Sequence, residues 1–147
     1  MISNVKIRFT ILGVALLLVI VFVGHTISAK MALRKYDATR LASFAHRIAD
    51  ADRIVGTFRD SNISPIITGN DVQKVVRAVA SASSHRPPEE WLYSIKAVFC
   101  KGTNELGYIE ISEGLFLIDG RNDPPFQDDT GVLKDLIIIP AYKAYWK

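Results

Sequence analysis

Residues 93–118 read YSIKAVFC, KGTN, ELGYIEIS, EG and LFLI in order, and this stretch decides the fold. Tyr93, Ile95, Ala97 and Phe99 alternate with Ser94, Lys96, Val98 and Cys100, the period of two that a strand with one buried face requires. Lys101-Gly102-Thr103-Asn104 supplies a turn, residues 106–112 return, and Glu113-Gly114 makes a tighter turn before Leu115-Phe116-Leu117-Ile118. Three antiparallel strands in a meander are predicted. Gly107 falls inside the middle strand, where a bulge or a close contact is expected.

Upstream, residues 83–90 form a breaker containing Pro87-Pro88, and Ser83-Ser84-His85 reads as the end of a helix. That helix opens at Thr68-Gly69-Asn70-Asp71, a hydroxyl cap with an acid three positions on. Val72, Val75, Val76, Val79 and Ala82 keep one apolar face. Residues 53–58 and 63–68 read as two short strands, with Pro65 placing the second at a sheet edge or start. Downstream, residues 119–129 read as a polar loop with Pro124-Pro125. Thr130 or Asp129 is then a cap for a final helix through Val132, Leu133 and Leu136. The expected fold is α+β: a small antiparallel sheet in ββαβββ order with a helix on one face, preceded by an N-terminal transmembrane helix.

That first helix is announced by residues 7–23, in which Arg8 is the one charged side chain. A bilayer core about 30 Å thick takes roughly 20 helical residues, and residues 9–27 provide nineteen. A core helix of a small domain would show a polar stripe, and none is present. Lys6 and Arg8 before an apolar run, with Ser28-Ala29 after it, also describe a secretory leader. Ile27 is large for the third position before such a cleavage point, which favours an uncleaved anchor. Basic residues lie on both sides, Lys30, Arg34, Lys35 and Arg40 coming after the span, so the charge bias is mixed. A short basic N-terminal flank favours export of the C-terminal domain. Residues 30–52 continue as a juxtamembrane helix, with Leu33, Tyr36, Leu41, Phe44 and Ile48 along one side. That stripe either docks on its own domain or forms a self-association seam. The expected division is 1–29 anchor, 30–52 juxtamembrane helix and 53–147 α+β domain.

The sequence pI is near 9.1, but the basic charge is local. Residues 30–59 hold seven Lys or Arg against three Asp, whereas residues 60–147 hold nine against twelve acids. Positive charge beside a span meets anionic headgroups; a nucleic-acid binder would carry it on the folded part. The single Cys100 makes no internal disulfide and sits in a strand, as an inert thiol. His25, His46 and His85 have no ligand spacing, so no metal is expected. No Gly-x-Ser-x-Gly, phosphate loop or dinucleotide fingerprint occurs, and the acids of residues 119–129 lack the calcium-loop pattern. No catalytic residue and no cofactor are predicted.

Ala51-Asp52-Arg53-Ile54-Val55, Thr68-Gly69-Asn70-Asp71-Val72, Lys101-Gly102-Thr103-Asn104 and Leu115-Phe116-Leu117-Ile118-Asp119-Gly120 together resemble uncharacterised small bacterial single-pass membrane proteins and lipoproteins. Their extracytoplasmic domain is similar to β-lactamase-inhibitor-like modules. The resemblance implies a bacterial inner-membrane protein and transfers no functional residue. The expectation is a membrane-anchored, non-enzymatic binding module, meeting lipid through residues 7–27 and presenting its domain to an envelope or protein partner. The alternatives are a membrane-complex component assembling through the juxtamembrane helix, or an immunity or inhibitor protein. Candidate partner-binding residues are the tail aromatics Tyr142, Tyr145 and Trp146, with Asp119, Asp123 and Phe126 of the polar loop.

Overall fold

Ile95, Ala97 and Phe99 point to one side of their strand, and their alternation organises the domain. The computed structural model describes residues 2–58, 66–84, 95–112, 114–120 and 125–145, with side chains between residues 13 and 143. The chain divides into two compact units, Met1–Asp37 and Ala38–Lys147.

The first unit is the larger part of helix α1 (Ile2–Ile48). It is one helix long and apolar enough to cross a membrane. From residue 13 onward its apolar side chains are uncovered, with Leu16 63% and Phe22 70% exposed. Thr26 bonds its hydroxyl to the carbonyls of Phe22 and Val23, so even this polar side chain is satisfied within the helix.

In the second unit, a seven-stranded antiparallel sheet runs in the order β2-β1-β4-β5-β6-β7-β3. The strands are β1 (Arg53–Phe58), β2 (Ile66–Thr68), β3 (Ser83–Ser84), β4 (Ile95–Lys101), β5 (Asn104–Ser112), β6 (Leu115–Ile118) and β7 (Phe126–Gln127). The predicted meander is β4, β5 and β6. Register places Ile54 beside Phe99, Ala97 beside Ile109, Ile109 beside Ile118, and Phe116 beside Phe126. All of these are buried on one face. At Gly107 the register slips, leaving Leu106 as the extra residue of a bulge.

Every described helix contributes its buried side chains to that same face. Leu41, Phe44 and Ile48 come from the last turns of α1, which settles how the lower part of the juxtamembrane stripe is used: it docks on its own domain. Phe44 lies edge-on to Phe99, ring centroids 6.0 Å apart. Residues 49–52 are then fastened to the β4–β5 hairpin. Asp52 N donates to Cys100 O (2.9 Å), Gly102 N to the Asp52 carboxylate (2.7 Å), and Lys101 pairs with Asp50 (2.9 Å). Helix α2 (Asn70–Ala80) adds Val72, Val75, Val76, Ala78 and Val79. Its expected hydroxyl cap does not form. Gly69 takes the capping position at φ 65°, and Thr68 remains in β2.

The chain end departs furthest from expectation. The stretch 119–129 is not all loop: Phe126–Gln127 forms β7, and Ser83–Ser84, read as a helix end, pairs with it as the edge strand β3. Asp129 does not cap the last helix; it accepts from Ser83 Oγ at 2.8 Å. Thr130 caps as expected, its hydroxyl accepting the Val132 amide at 3.3 Å. Asp128 adds a second cap, receiving the Leu133 and Thr130 amides at 2.8 and 2.9 Å and the Thr130 hydroxyl. A π-helical turn, Lys134–Ile138, precedes α3 (Ile139–Tyr145). Ile139 N–H reaches back to Lys134 O. Pro140 has no N–H and its ring crowds the carbonyl four residues back. One wider turn accommodates it and keeps Leu133, Ile137 and Ala141 on the buried side.

Candidate functional site

Three of the six predicted partner-binding residues have side chains within the described residues, and they are not together. Asp119 lies at φ 52° and is followed by Gly120 at φ 61°, two left-handed residues that turn the chain out of β6. Its amide donates to Tyr108 O (2.9 Å), its carboxylate accepts the Tyr108 amide (3.3 Å), and Arg47 of α1 pairs with the same carboxylate. Asp119 is thus committed to holding α1 and β6 against β5. Phe126 is 1% exposed and stacks on Phe116 at 5.7 Å, with the Arg40 guanidinium 4.7 Å above its ring. It is a core residue, because cross-strand register with Phe116 carries it inside. Tyr142 alone is exposed, on α3 (47%). Tyr145 closes α3, its side chain outside the described set, as are Asp123 and Trp146.

A different surface emerges from the sheet. With all described helices on one face, the opposite face carries two central cross-strand rows, flanked by Arg53, Cys100 and Glu105 on one side and by Ser112, Leu115 and Gln127 on the other. Ile66, Val55, Val98 and Tyr108 form the first, and Thr57, Lys96, Glu110 and Leu117 the second. None belongs to the core cluster or packs against it. Ile66 is 64% exposed; Val55, Val98, Tyr108 and Leu117 are half-buried and Lys96 is exposed. The solvent face of an antiparallel sheet is ordinarily polar. Here one row is wholly apolar or aromatic.

Lys96 Nζ sits 4.0 Å from the centroid of the Tyr108 ring, a cation–π contact. The phenol end lies close to Gly120, where an added Cβ would be 2.7 Å from Tyr108 Oη and 3.2 Å from Glu110 Oε1. Partial burial raises the Tyr108 pKa above its usual 10, and the carboxylates of Glu110, Asp119 and Glu105 push the same way. The phenol is therefore a neutral hydrogen-bonding group in the physiological range. Sequence reading missed this surface, although the signal was present. Leu115 and Leu117 are as apolar as Phe116 and Ile118, and Val98 stands on the parity expected to be polar, so apolar residues occupy both faces.

An open cleft of about 510 Å³ lies between α2 and the start of the last helix, lined by Lys74, Arg77, Ala78, Ala80, Ser81, Thr130 and Val132. Its hydroxyls are already used: Ser81 Oγ donates to Ala78 O (3.2 Å) and Thr130 Oγ1 to Asp128. Lys74 pairs with Asp71 at 2.7 Å. Among its described lining residues no nucleophile faces a base. Among the described residues no three His, Cys, Asp or Glu side chains gather as a metal site, and Cys100 is a buried thiol. No family model, curated protein or solved structure matches the chain.

Proposed function

We propose that this chain is a membrane-anchored, non-enzymatic binding module that meets a protein partner through the sheet face left bare by its helices. The observation that carries the reading is the apolar row Ile66, Val55, Val98 and Tyr108 lying outside the core while every described helix packs on the other side. An aromatic ring and aliphatic side chains beside a few charges have the composition of an interface centre with a polar rim.

The N-terminal helix supports the anchoring half of the proposal. Its span would hold the domain at a bacterial inner membrane as a single-pass protein, with the α+β unit on the extracytoplasmic side. Tethering confines encounters to the membrane plane and raises the effective concentration of the domain for any partner anchored there.

Paired C-terminal fusions, one reporter active only outside the cytoplasm and one only within it, test the topology. Activity of the first, with the full-length chain pelleting in the membrane fraction and released by detergent but not by alkaline carbonate, is expected. Recovery of the intact chain in the aqueous fraction would overturn anchoring. Activity of the cytoplasmic reporter would reverse the orientation.

A further inference from the structure

We infer that the partner of the bare sheet face is a second copy of this chain, docked face to face about a two-fold axis running along the strands between β4 and β5. The inference rests on the binding-module reading of that face and adds the identity of the occupant.

In an isologous contact each residue meets its counterpart's partner, so the patch must complement itself. The long central strands lie in the order β1, β4, β5, β6. A two-fold between β4 and β5 therefore lays β4 of one copy over β5 of the other, and β1 over β6. Residues paired across strands lie at equal heights along the axis. Lys96 is paired with Glu110 and Val98 with Tyr108. The operation consequently places Lys96 over Glu110 of the second copy, and Val98 over its Tyr108. Thr57, in register with Lys96, falls over Leu117, in register with Glu110.

Each dimer would hold two opposite-charge contacts and, one row along, two aliphatic–aromatic contacts. Any other occupant would need its own matching pattern; a second copy supplies it by construction. Aligned packing of two twisted sheets at about −30° and about 10 Å is the standard geometry for such faces. Lys96 is exposed and held over the Tyr108 ring, so its ammonium is already above the face. Confinement of anchored chains to one membrane plane favours the encounter.

The test uses the full-length chain in its native membrane, with Cys100→Ser as background and Val98→Cys as the probe. A short bis-maleimide should yield a covalent species of twice the monomer mass. Lys96→Glu alone sets two Glu–Glu contacts in the dimer, and Glu110→Lys alone two Lys–Lys contacts. Each should lower the cross-linked yield at least tenfold. Co-expression of the two single variants should restore it, because the mixed dimer regains two opposite-charge contacts. The cross-strand pair of positions 96 and 110 within each chain stays like-charged, so rescue cannot come from folding of the single chains.

Charge exchanges that leave the yield unchanged overturn this docking geometry. If no dimer forms, labelling of the Val98→Cys probe by a mono-maleimide in the same membranes separates the two failures. A thiol at position 98 that is protected in the membrane but labelled in the purified, detergent-solubilised chain means that another partner covers the face: the second copy is wrong and the binding module stands. A thiol protected in both is covered by its own chain, and both readings fall. A freely labelled thiol there means that the face is bare, and both readings fall.

Discussion

Gly107 shows how one missing side chain holds the domain together. It lies opposite Phe99 at the bulge, and an added Cβ would stand 2.9 Å from the Phe44 ring, 3.1 Å from the Arg47 guanidinium and 3.3 Å from the Asp119 carboxylate. The last turns of α1 approach the sheet through that gap. Gly107→Ala should therefore destabilise the domain by about 1–3 kcal/mol, the usual cost of overpacking, read from the urea midpoint. A midpoint equal to wild type would show that the contact is loose. Tyr108, next in the chain, reports through pH. Its folded pKa is raised, so its contribution to stability is complete below about pH 10 and is lost as pH rises through the folded value. Tyrosinate absorbance of the wild type less that of Tyr108→Phe should titrate above the free-phenol value, and Glu110→Gln should bring the midpoint down. A midpoint that rises or stays put would remove the Glu110 carboxylate as a cause.

At the scale of elements, α1 is one helix whose exposed and buried side chains fall in different parts of its length. From residue 13 to residue 36 its side chains are exposed, and Leu41, Phe44 and Ile48 are 7, 2 and 0% exposed in the domain core. Leu33 and Tyr36 belong to the same sequence stripe yet remain 45 and 53% exposed. Periodicity gave all five the same reading, because helical phase records which side of the helix is apolar and not where the sheet ends. The two parts should respond differently to truncation. Phe44→Ala should cost about 3–5 kcal/mol, removing a buried ring that meets Phe99 edge-on. Leu33→Ala should alter domain stability by no more than about 0.5 kcal/mol. Thermal unfolding of the two variants side by side decides this, and equal losses would mean that the stripe acts as one packing unit.

For the molecule as a whole, elements readable from local pattern were legible and those made by long-range pairing were not. The apolar run of residues 7–23, the β4–β5–β6 meander and the valine face of α2 each announce themselves within one continuous stretch of chain, through length, a period of two or a period near 3.6. From them the chain alone determined an α+β domain behind an apolar helix, with its sheet covered on one side. Phe126 was hidden because Pro124-Pro125 and Asp128-Asp129 make its surroundings look like a solvated loop; pairing with Phe116 on one side and with Ser84, 42 residues earlier, on the other is what carries it into the sheet. Asp119 looked like an available carboxylate until Arg47, 72 residues earlier, was brought beside it. The bare face obeyed the same rule. Local sequence records which residues alternate, but only tertiary structure decides which of two apolar faces the helices cover, because that choice is made by contacts between elements far apart in the chain.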